Sequence, residues 1–351
     1  MKDEKNDIVN ESPHGGDVYR NEVRLDFSVN LNPLEMPFSV AEAMMTGLEE
    51  IHQYPDPQQQ KLREGIASFE GIAPDHIICG NGASELIMAA VHALKPKKAL
   101  VTAPCYAGYA AALRAEDAVI EEHHLREEDD FAVDEGILGR ITADTDMVFI
   151  ADPNNPNGSL LDPELKKQIA VRCGRCGAVP VFDECFMPLT GEWTERKAVA
   201  DNALHLRAFT KTFAIPGIRL GYMISRDKEL LKSIGKHLPE WNVSRVAERT
   251  GEAASEVLAE TDYLERSVRL IEKERAYLSK ELDGYGIRVY PGDANYILIK
   301  SVPGLYDRLL AKGIMIRRCA NFSGLDETYF RIAVRRREDN EKLIKAIGEV
   351  L

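Results

Sequence analysis

Long hydrophobic runs are missing from this 351-residue chain. No uninterrupted apolar stretch approaches the ~18–20 residues that a membrane span requires. The opening Met1-Lys2-Asp3-Glu4-Lys5-Asn6-Asp7 carries no apolar segment, so neither a signal peptide nor an anchor is expected. Cysteine is sparse, at six residues spread over the whole length. That density excludes a disulfide framework and makes a reducing cytoplasm the expected location. Cys173 and Cys176 have the CxxC spacing of zinc and redox sites. No second pair and no histidine at ligand spacing accompany them, so they read as two thiols near a helix end and no metal is expected. An excess of basic charge is lacking too: 44 Lys+Arg stand against 57 Asp+Glu, a formal net charge of −13. Such a chain is not expected to bind nucleic acid or an anionic membrane, both of which require a basic surface. A small anionic ligand remains open, because a site needs only a few local cations.

What is present is ordinary globular composition, 44% hydrophobic and 29% charged, which excludes bulk disorder. From about residue 75, short apolar strands are expected at 76–79, 98–102, 146–151, 178–182 and 219–224. Helices are expected between them, as at 84–94 and 163–173. Asp162-Pro163-Glu164 marks a helix start, with Asp as the cap and Pro at the first helical position. This alternation implies an α/β fold with a mainly parallel sheet sandwiched by helices. After about residue 228 the pattern changes. A long, charged, 3.6-periodic run fills 244–282 with a break near 260–262. Strands are then expected at 286–290, 295–299, 314–317 and 328–334, with helices at 303–312 and 338–350. The division expected is an N-terminal arm over 1–40, a large domain over 41–230 and a small α+β domain over 231–351. The acidic run 121–130 reads as a solvated loop.

Gly80-Asn81-Gly82-Ala83-Ser84-Glu85 follows a strand and opens a helix. A dinucleotide fingerprint needs a third glycine where Glu85 stands, so that reading fails. What survives is a tight turn with free N–H groups of Ala83 and Ser84 at a helix N-terminus, suited to one phosphate. Asn155, Asp183 and Lys211 then follow at two equal intervals of 28 residues, each close after a strand, and Arg219 comes eight residues after Lys211. In an open parallel sheet the carboxyl ends of the strands line one crevice, so these side chains converge beside the anion site. A lysine with a depressed pKa is a Schiff-base nucleophile. A carboxylate keeps a ring nitrogen protonated, an Asn hydrogen-bonds a phenolic oxygen, and an Arg with helix N–H groups holds a phosphate. These are the requirements of pyridoxal 5′-phosphate.

The set resembles the fold-type-I pyridoxal phosphate enzymes of the aminotransferase superfamily, over nearly the full length. The similarity is greatest to the branch holding histidinol-phosphate aminotransferase and threonine-phosphate decarboxylase of cobalamin biosynthesis. The resemblance implies that Lys211 bonds the cofactor, Asp183 pairs with its ring nitrogen and Asn155 contacts its ring hydroxyl. Arg219, Thr210, Ala83 and Ser84 would hold its phosphate, and Tyr106 would stack on the ring. Tyr54, in Tyr54-Pro55-Asp56-Pro57, matches a tyrosine that reaches the phosphate from a neighbouring subunit, which implies a homodimer with shared active sites. Arg331 matches the arginine that binds the substrate carboxylate, a task suited to a planar guanidinium. Asn32 matches a residue near the same group.

Two segments lean toward the decarboxylase. His14-Gly15-Gly16 with Leu25–Leu34 resembles that family's N-terminal arm, where the histidine lies near the substrate phosphate. Ile316–Leu325 resembles its phosphate-binding stretch, with Arg317 on the phosphate. Phe186 stands where aminotransferases usually carry a Tyr, and Ala208 where a Ser or Thr usually meets the cofactor phosphate. The expected activity is decarboxylation of L-threonine O-3-phosphate. The alternatives are transamination of the histidinol-phosphate type and a non-catalytic binding protein of the same fold. Six arginines against two acids between Ile316 and Arg337 mark where an anionic substrate is expected to be drawn in.

Overall fold

The structure is a computed structural model, and it describes residues 15–351. Among the described residues, thirteen strands form three sheets. The seven-stranded sheet contains β2 (Ile77–Gly80), β3 (Lys98–Ala103), β4 (Val119–His124), β5 (Met147–Ala151), β6 (Val179–Asp183), β7 (Leu204–Ala208) and β8 (Gly221–Ile224), in the order β2-β8-β7-β6-β5-β3-β4. β4, β3, β5, β6 and β7 are parallel, whereas β8 runs antiparallel to both β7 and β2.

The physical basis is plain in β5, whose Met147-Val148-Phe149-Ile150-Ala151 is buried throughout. A strand covered on both faces reads as a continuous apolar run. Met147, Phe149 and Ala151 join a core with Leu86, Tyr109, Leu113 and Val181, while Val148 and Ile150 join the core beneath the opposite face with Leu165, Ile169 and Phe182. Helix Pro163–Cys176 begins as its sequence implies: the Asp162 carboxylate accepts from the N–H groups of Glu164 and Leu165 at 2.9 Å. Cys173 and Cys176 both sit on this helix as free thiols.

The second sheet is antiparallel, in the order β12 (Arg317–Arg318), β13 (Tyr329–Ala333), β10 (Tyr296–Lys300), β9 (Arg288–Val289). Its helical cover includes Tyr263–Gly284 and Arg337–Val350. β1 (Leu25–Asp26) pairs in parallel with β11 (Ile314–Met315), and Phe27 is buried in the same core. The chain before residue 40 is thereby tied to its C-terminal part. The break read near 260–262 falls between helices Arg245–Glu260 and Tyr263–Gly284. None of the described helices is long and apolar enough to cross a membrane.

Two readings need correction. The run 121–130 is not merely a solvated loop. Its first half lies in β4, an edge strand whose charged side chains discourage further pairing, and its second half makes contacts described below. The strand read from 219 begins at Gly221, because Arg219 has φ +58° and cannot be extended.

Beneath the carboxyl ends of the strands lies a buried ionic array. Lys166 Nζ donates to Asp152 at 2.8 Å and Glu184 at 2.7 Å. Glu184 also receives Arg207 at 2.8 Å and pairs with His205 at 2.9 Å. Arg207 reaches Glu70 and lies over the Trp193 ring at 4.6 Å, and the Tyr222 hydroxyl donates to Glu70 at 2.6 Å. Burial alone would push the Glu184 carboxyl up; Lys166 and Arg207 instead hold it well below the usual range. The array ties β6, β7 and β8 together just below the residues that face the cavity.

Candidate active site

A cavity of about 560 Å³ opens at the carboxyl ends of the parallel strands. Ala151 closes β5, Asp183 closes β6 and Ala208 closes β7, so the chain turns out of the sheet with its polar groups toward one space. Ten of the residues singled out in the sequence line it: Ala83, Ser84, Tyr106, Asn155, Asp183, Thr210, Lys211, Arg219, Arg317 and Arg331.

On one wall the helix Ala83–Leu94 begins. Its capping residue, Gly82, has φ +83° and offers no side chain to the first N–H groups. A Cβ on Gly82 would come 2.5 Å from Arg219 Nη2, so glycine lets this guanidinium lie against the helix end. The result is a cationic group beside free backbone donors, a cradle for a phosphate. Beside this helix start, the Tyr106 ring meets Tyr109 edge-on at 5.4 Å. Burial raises the Tyr106 phenol, and Ser84, within hydrogen-bond reach, opposes this.

Asp183 is held from two sides. The Tyr109 hydroxyl donates to Oδ2 at 2.6 Å, and the Cys185 N–H donates to Oδ1 at 3.1 Å. Tyr109 is fully buried and stacks on Phe149 at 5.2 Å, so the donor is fixed by packing. Sequence reading missed Tyr109; its position one helical turn after Tyr106 was the available signal.

Lys211 lies over the Phe186 ring, 5.6 Å from its centroid, and Phe186 meets Tyr296 edge-on at 5.0 Å. Burial first, and then the neighbouring Arg331, push the Lys211 amine down to about 8. Arg331 is itself buried. Its Nη1 donates to Asn155 Oδ1 and its Nη2 to the Ser28 carbonyl at 3.0 Å, while Nε has no hydrogen-bond partner among the described residues. Arg317 stands opposite Arg331 in the β12–β13 register and donates to Asn321 at 2.8 Å. Burial and Arg331 push Arg317 down to about 10.

Asn32 and Tyr54, also derived from the sequence, lie elsewhere. Asn32 does not line the cavity. Its amide is spent on the Thr212 carbonyl at 2.7 Å, Ser267 at 2.8 Å and Tyr263 at 3.2 Å, and its oxygen accepts from the Leu34 N–H. Asn30, two residues earlier, does line the cavity, and its Oδ1 lacks a partner among the described residues. Tyr54 is 79% exposed on the outer surface against Trp241. His14 lies outside the described residues; Gly15, next in the chain, lines the cavity. The arginine excess of 316–337 is largely local pairing: Arg318 meets Asp307, Arg335 Asp339, Arg336 Glu35 and Arg337 Glu274. Only Arg317 and Arg331 of the six face the cavity.

Among the described residues the lining has four basic side chains (Lys211, Arg219, Arg317, Arg331) and one acidic one, Asp183. It therefore suits a ligand with several negative charges. The aminotransferase class I and II family model matches residues 22–347. This chain belongs to that family. Aminotransferase class I and II proteins are pyridoxal phosphate-dependent enzymes, and the cavity fits that cofactor: a phosphate cradle at Gly82–Ser84 and Arg219, an aromatic ring at Tyr106, a fixed carboxylate at Asp183 and a lysine of lowered pKa. Among relatives within the family, the chain is 36% identical over 335 residues to a threonine-phosphate decarboxylase of Salmonella typhimurium, covering 93% of this chain and 91% of the relative. It is 31% identical over 331 residues to a histidinol-phosphate aminotransferase of Pyrococcus furiosus, covering 93% of each. The crystal structure of the histidinol-phosphate aminotransferase from Clostridium acetobutylicum superposes with a TM-score of 0.84 at 32% identity, covering 93% of this chain and 98% of that one.

Proposed function

We propose that this enzyme decarboxylates L-threonine O-3-phosphate to (R)-1-amino-2-propanol O-2-phosphate. The observation that carries the reading is the pair Arg317 and Arg331, register partners on adjacent strands that face one cavity. A substrate with both a carboxylate and a phosphate satisfies both cations; burial first, and then Arg331, lower the pKa of Arg317 and of Lys211. Histidinol phosphate has a phosphate but no carboxylate, and in a transamination the pair would be satisfied together only by the dicarboxylate 2-oxoglutarate of the other half-reaction. The 36% identity to a threonine-phosphate decarboxylase supports the same choice. So does Phe186, which has no hydroxyl where aminotransferases usually carry a Tyr.

Bound pyridoxal phosphate supplies an electron sink that stabilises the electron pair left at Cα when a bond there breaks. In this reading Asp183, fixed by Tyr109 and the Cys185 N–H, keeps the ring nitrogen protonated. Tyr106 would stack against the ring, and Ala83, Ser84, Thr210 and Arg219 would hold the phosphate. Asn155 has its oxygen committed to Arg331, so its NH₂ is the group left to donate to the ring hydroxyl. Arg331 would seat the carboxylate and Arg317 the substrate phosphate; together they would fix the substrate at both anionic ends, with the carboxylate as the group that leaves as CO₂. Lys211 then returns one proton to Cα.

The protein is proposed to act as a homodimer, with Tyr54 reaching the neighbour's cofactor phosphate. Exposed Phe38, Met45, Leu48 and Ile51, on and just after the helix Phe38–Glu49, supply an apolar face for that contact. The test is incubation with phosphothreonine and pyridoxal phosphate while CO₂ is measured. Stoichiometric CO₂ and aminopropanol phosphate are expected. No CO₂, with turnover of histidinol phosphate and 2-oxoglutarate instead, would replace this reading with transamination.

A further inference from the structure

The acidic run after β4 joins the two main sheets. On one side it continues from β4, and Asn157 Nδ2 donates to the carbonyls of Asp130 and Phe131 at 3.1 and 3.0 Å. Asn157 lies two residues beyond Asn155, so this end is tied to the cavity wall. On the other side, Glu127 is gripped by the four-stranded sheet. Its carboxylate accepts from the hydroxyls of Tyr290 at 2.6 Å and Tyr329 at 2.8 Å, from Lys300 Nζ at 3.0 Å and from Arg288 at 3.1 Å. Leu125 and Phe131 flank it and pack with Tyr290, Leu298, Phe322 and Tyr329. Ser323 adds a bond to Glu122 at 2.6 Å.

The register connects this grip to the site. Tyr329 and Arg331 are two residues apart on β13 and so share one face of the sheet. Lys300 pairs with Tyr329, Leu298 with Arg331, and Arg317 with Arg331. Phe322 and Asn321, in the segment that packs under Leu125, line the cavity beside Arg317. Glu127 thus holds one end of a face whose other end carries both anion-binding arginines. The Tyr290 hydroxyl, Lys300 and Tyr329 outweigh partial burial and draw the Glu127 carboxyl down to about 2, so the grip stays ionised at neutral pH.

We propose that Glu127 is a positioning residue that sets Arg331 and Arg317 against Lys211 and Asp183, and so governs affinity for the anionic groups of the substrate. This rests on the assignment of those two arginines to substrate carboxylate and phosphate. A misplacement near 1 Å costs a site dearly, so Glu127→Ala in the holoenzyme is expected to raise KM for phosphothreonine, and Kd for inorganic phosphate, by about tenfold. Cofactor absorbance and affinity should stay at wild-type values, because Lys211, Asp183 and Arg219 lie on the seven-stranded side. Tyr329→Phe, which removes one donor and spares the backbone, should move KM in the same direction by a smaller factor, and it serves if the alanine variant does not fold. Glu128→Gln, at an exposed neighbour, is the charge control and should change nothing. If the wild type releases CO₂ but both Glu127→Ala and Tyr329→Phe keep its KM, the positioning role is overturned and the decarboxylase reading stands. A loss spread equally over cofactor binding, kcat and KM also overturns it. If the wild type releases no CO₂, the decarboxylase reading fails, and the phosphate Kd alone decides on Glu127.

Discussion

At the scale of residues, the chemistry rests on where burial and charge place protons. Lys211 has its amine lowered from 10.5 to about 8, by burial and then by Arg331. The folded, cofactor-free protein therefore binds this proton less tightly than the unfolded chain does. The cost is fully present below about 8 and disappears as pH rises above 10.5, so stability from this group grows with pH across that window. At pH 7 about a tenth of the amine is neutral. The rate at which cofactor-free protein captures pyridoxal phosphate should rise with pH to a plateau with a midpoint near 8, followed by absorbance. Arg331→Ala removes a cation and should move that midpoint upward. A midpoint unchanged in the variant would deny the coupling. That Lys211, Asp183, Asn155 and Arg219 converge was legible in the sequence, because the first three end or follow parallel strands at equal intervals of 28 residues and Arg219 comes eight residues after Lys211. Tyr109 and Asn30 were not. Their importance comes from a hydrogen bond to Asp183 and an amide oxygen with no partner among the described residues, which exist only after packing.

At the scale of elements, the parallel strands β5, β6 and β7 deliver the site, and the ionic array below them holds their ends. Arg207 on β7 touches Glu184, which follows β6, and Glu70 on the helix Gln60–Glu70. Removing it leaves two buried carboxylates without their guanidinium. Arg207→Ala should destabilise the protein by about 3–5 kcal/mol at neutral pH, read by denaturant unfolding of the cofactor-free form. A loss below 1 kcal/mol would mean that the array is dispensable. Strand periodicity predicted most of these elements but missed β4. Its Glu-Glu-His-His ending has no apolar alternation, and it is a strand because β3 offers it an open edge. Composition likewise pointed to a solvated acidic run. Glu127 escapes that reading because its partners are about 160 to 200 residues away in sequence.

At the scale of the whole molecule, a chain of net charge −13 encloses a cavity lined, among the described residues, by four basic groups and one acid. The acidic exterior and the cationic interior are separate features, and only the second selects a ligand. The exposed apolar residues beside the helix Phe38–Glu49 set a further expectation. Ile51, 65% exposed, is proposed to meet a second copy of the chain. Ile51→Glu should shift a dimer toward monomer in sedimentation velocity and weaken cofactor retention, because Tyr54 would no longer reach its partner site. A wild type that sediments as a monomer would dismiss the shared site.

The sequence by itself determined the α/β architecture, the glycine turn before a helix and the ordered Asn, Asp, Lys and Arg at strand ends. These depend on local periodicity, capping and spacing, which the chain carries wherever it goes. The tertiary structure decided which of two asparagines, Asn30 or Asn32, faces the cavity, and which two of six clustered arginines stay there while four pair with acids. It also decided that an acidic run is a brace between sheets. Hydrogen-bond partners and ion pairs are chosen by distance in space, and those distances do not exist until the strands are in register.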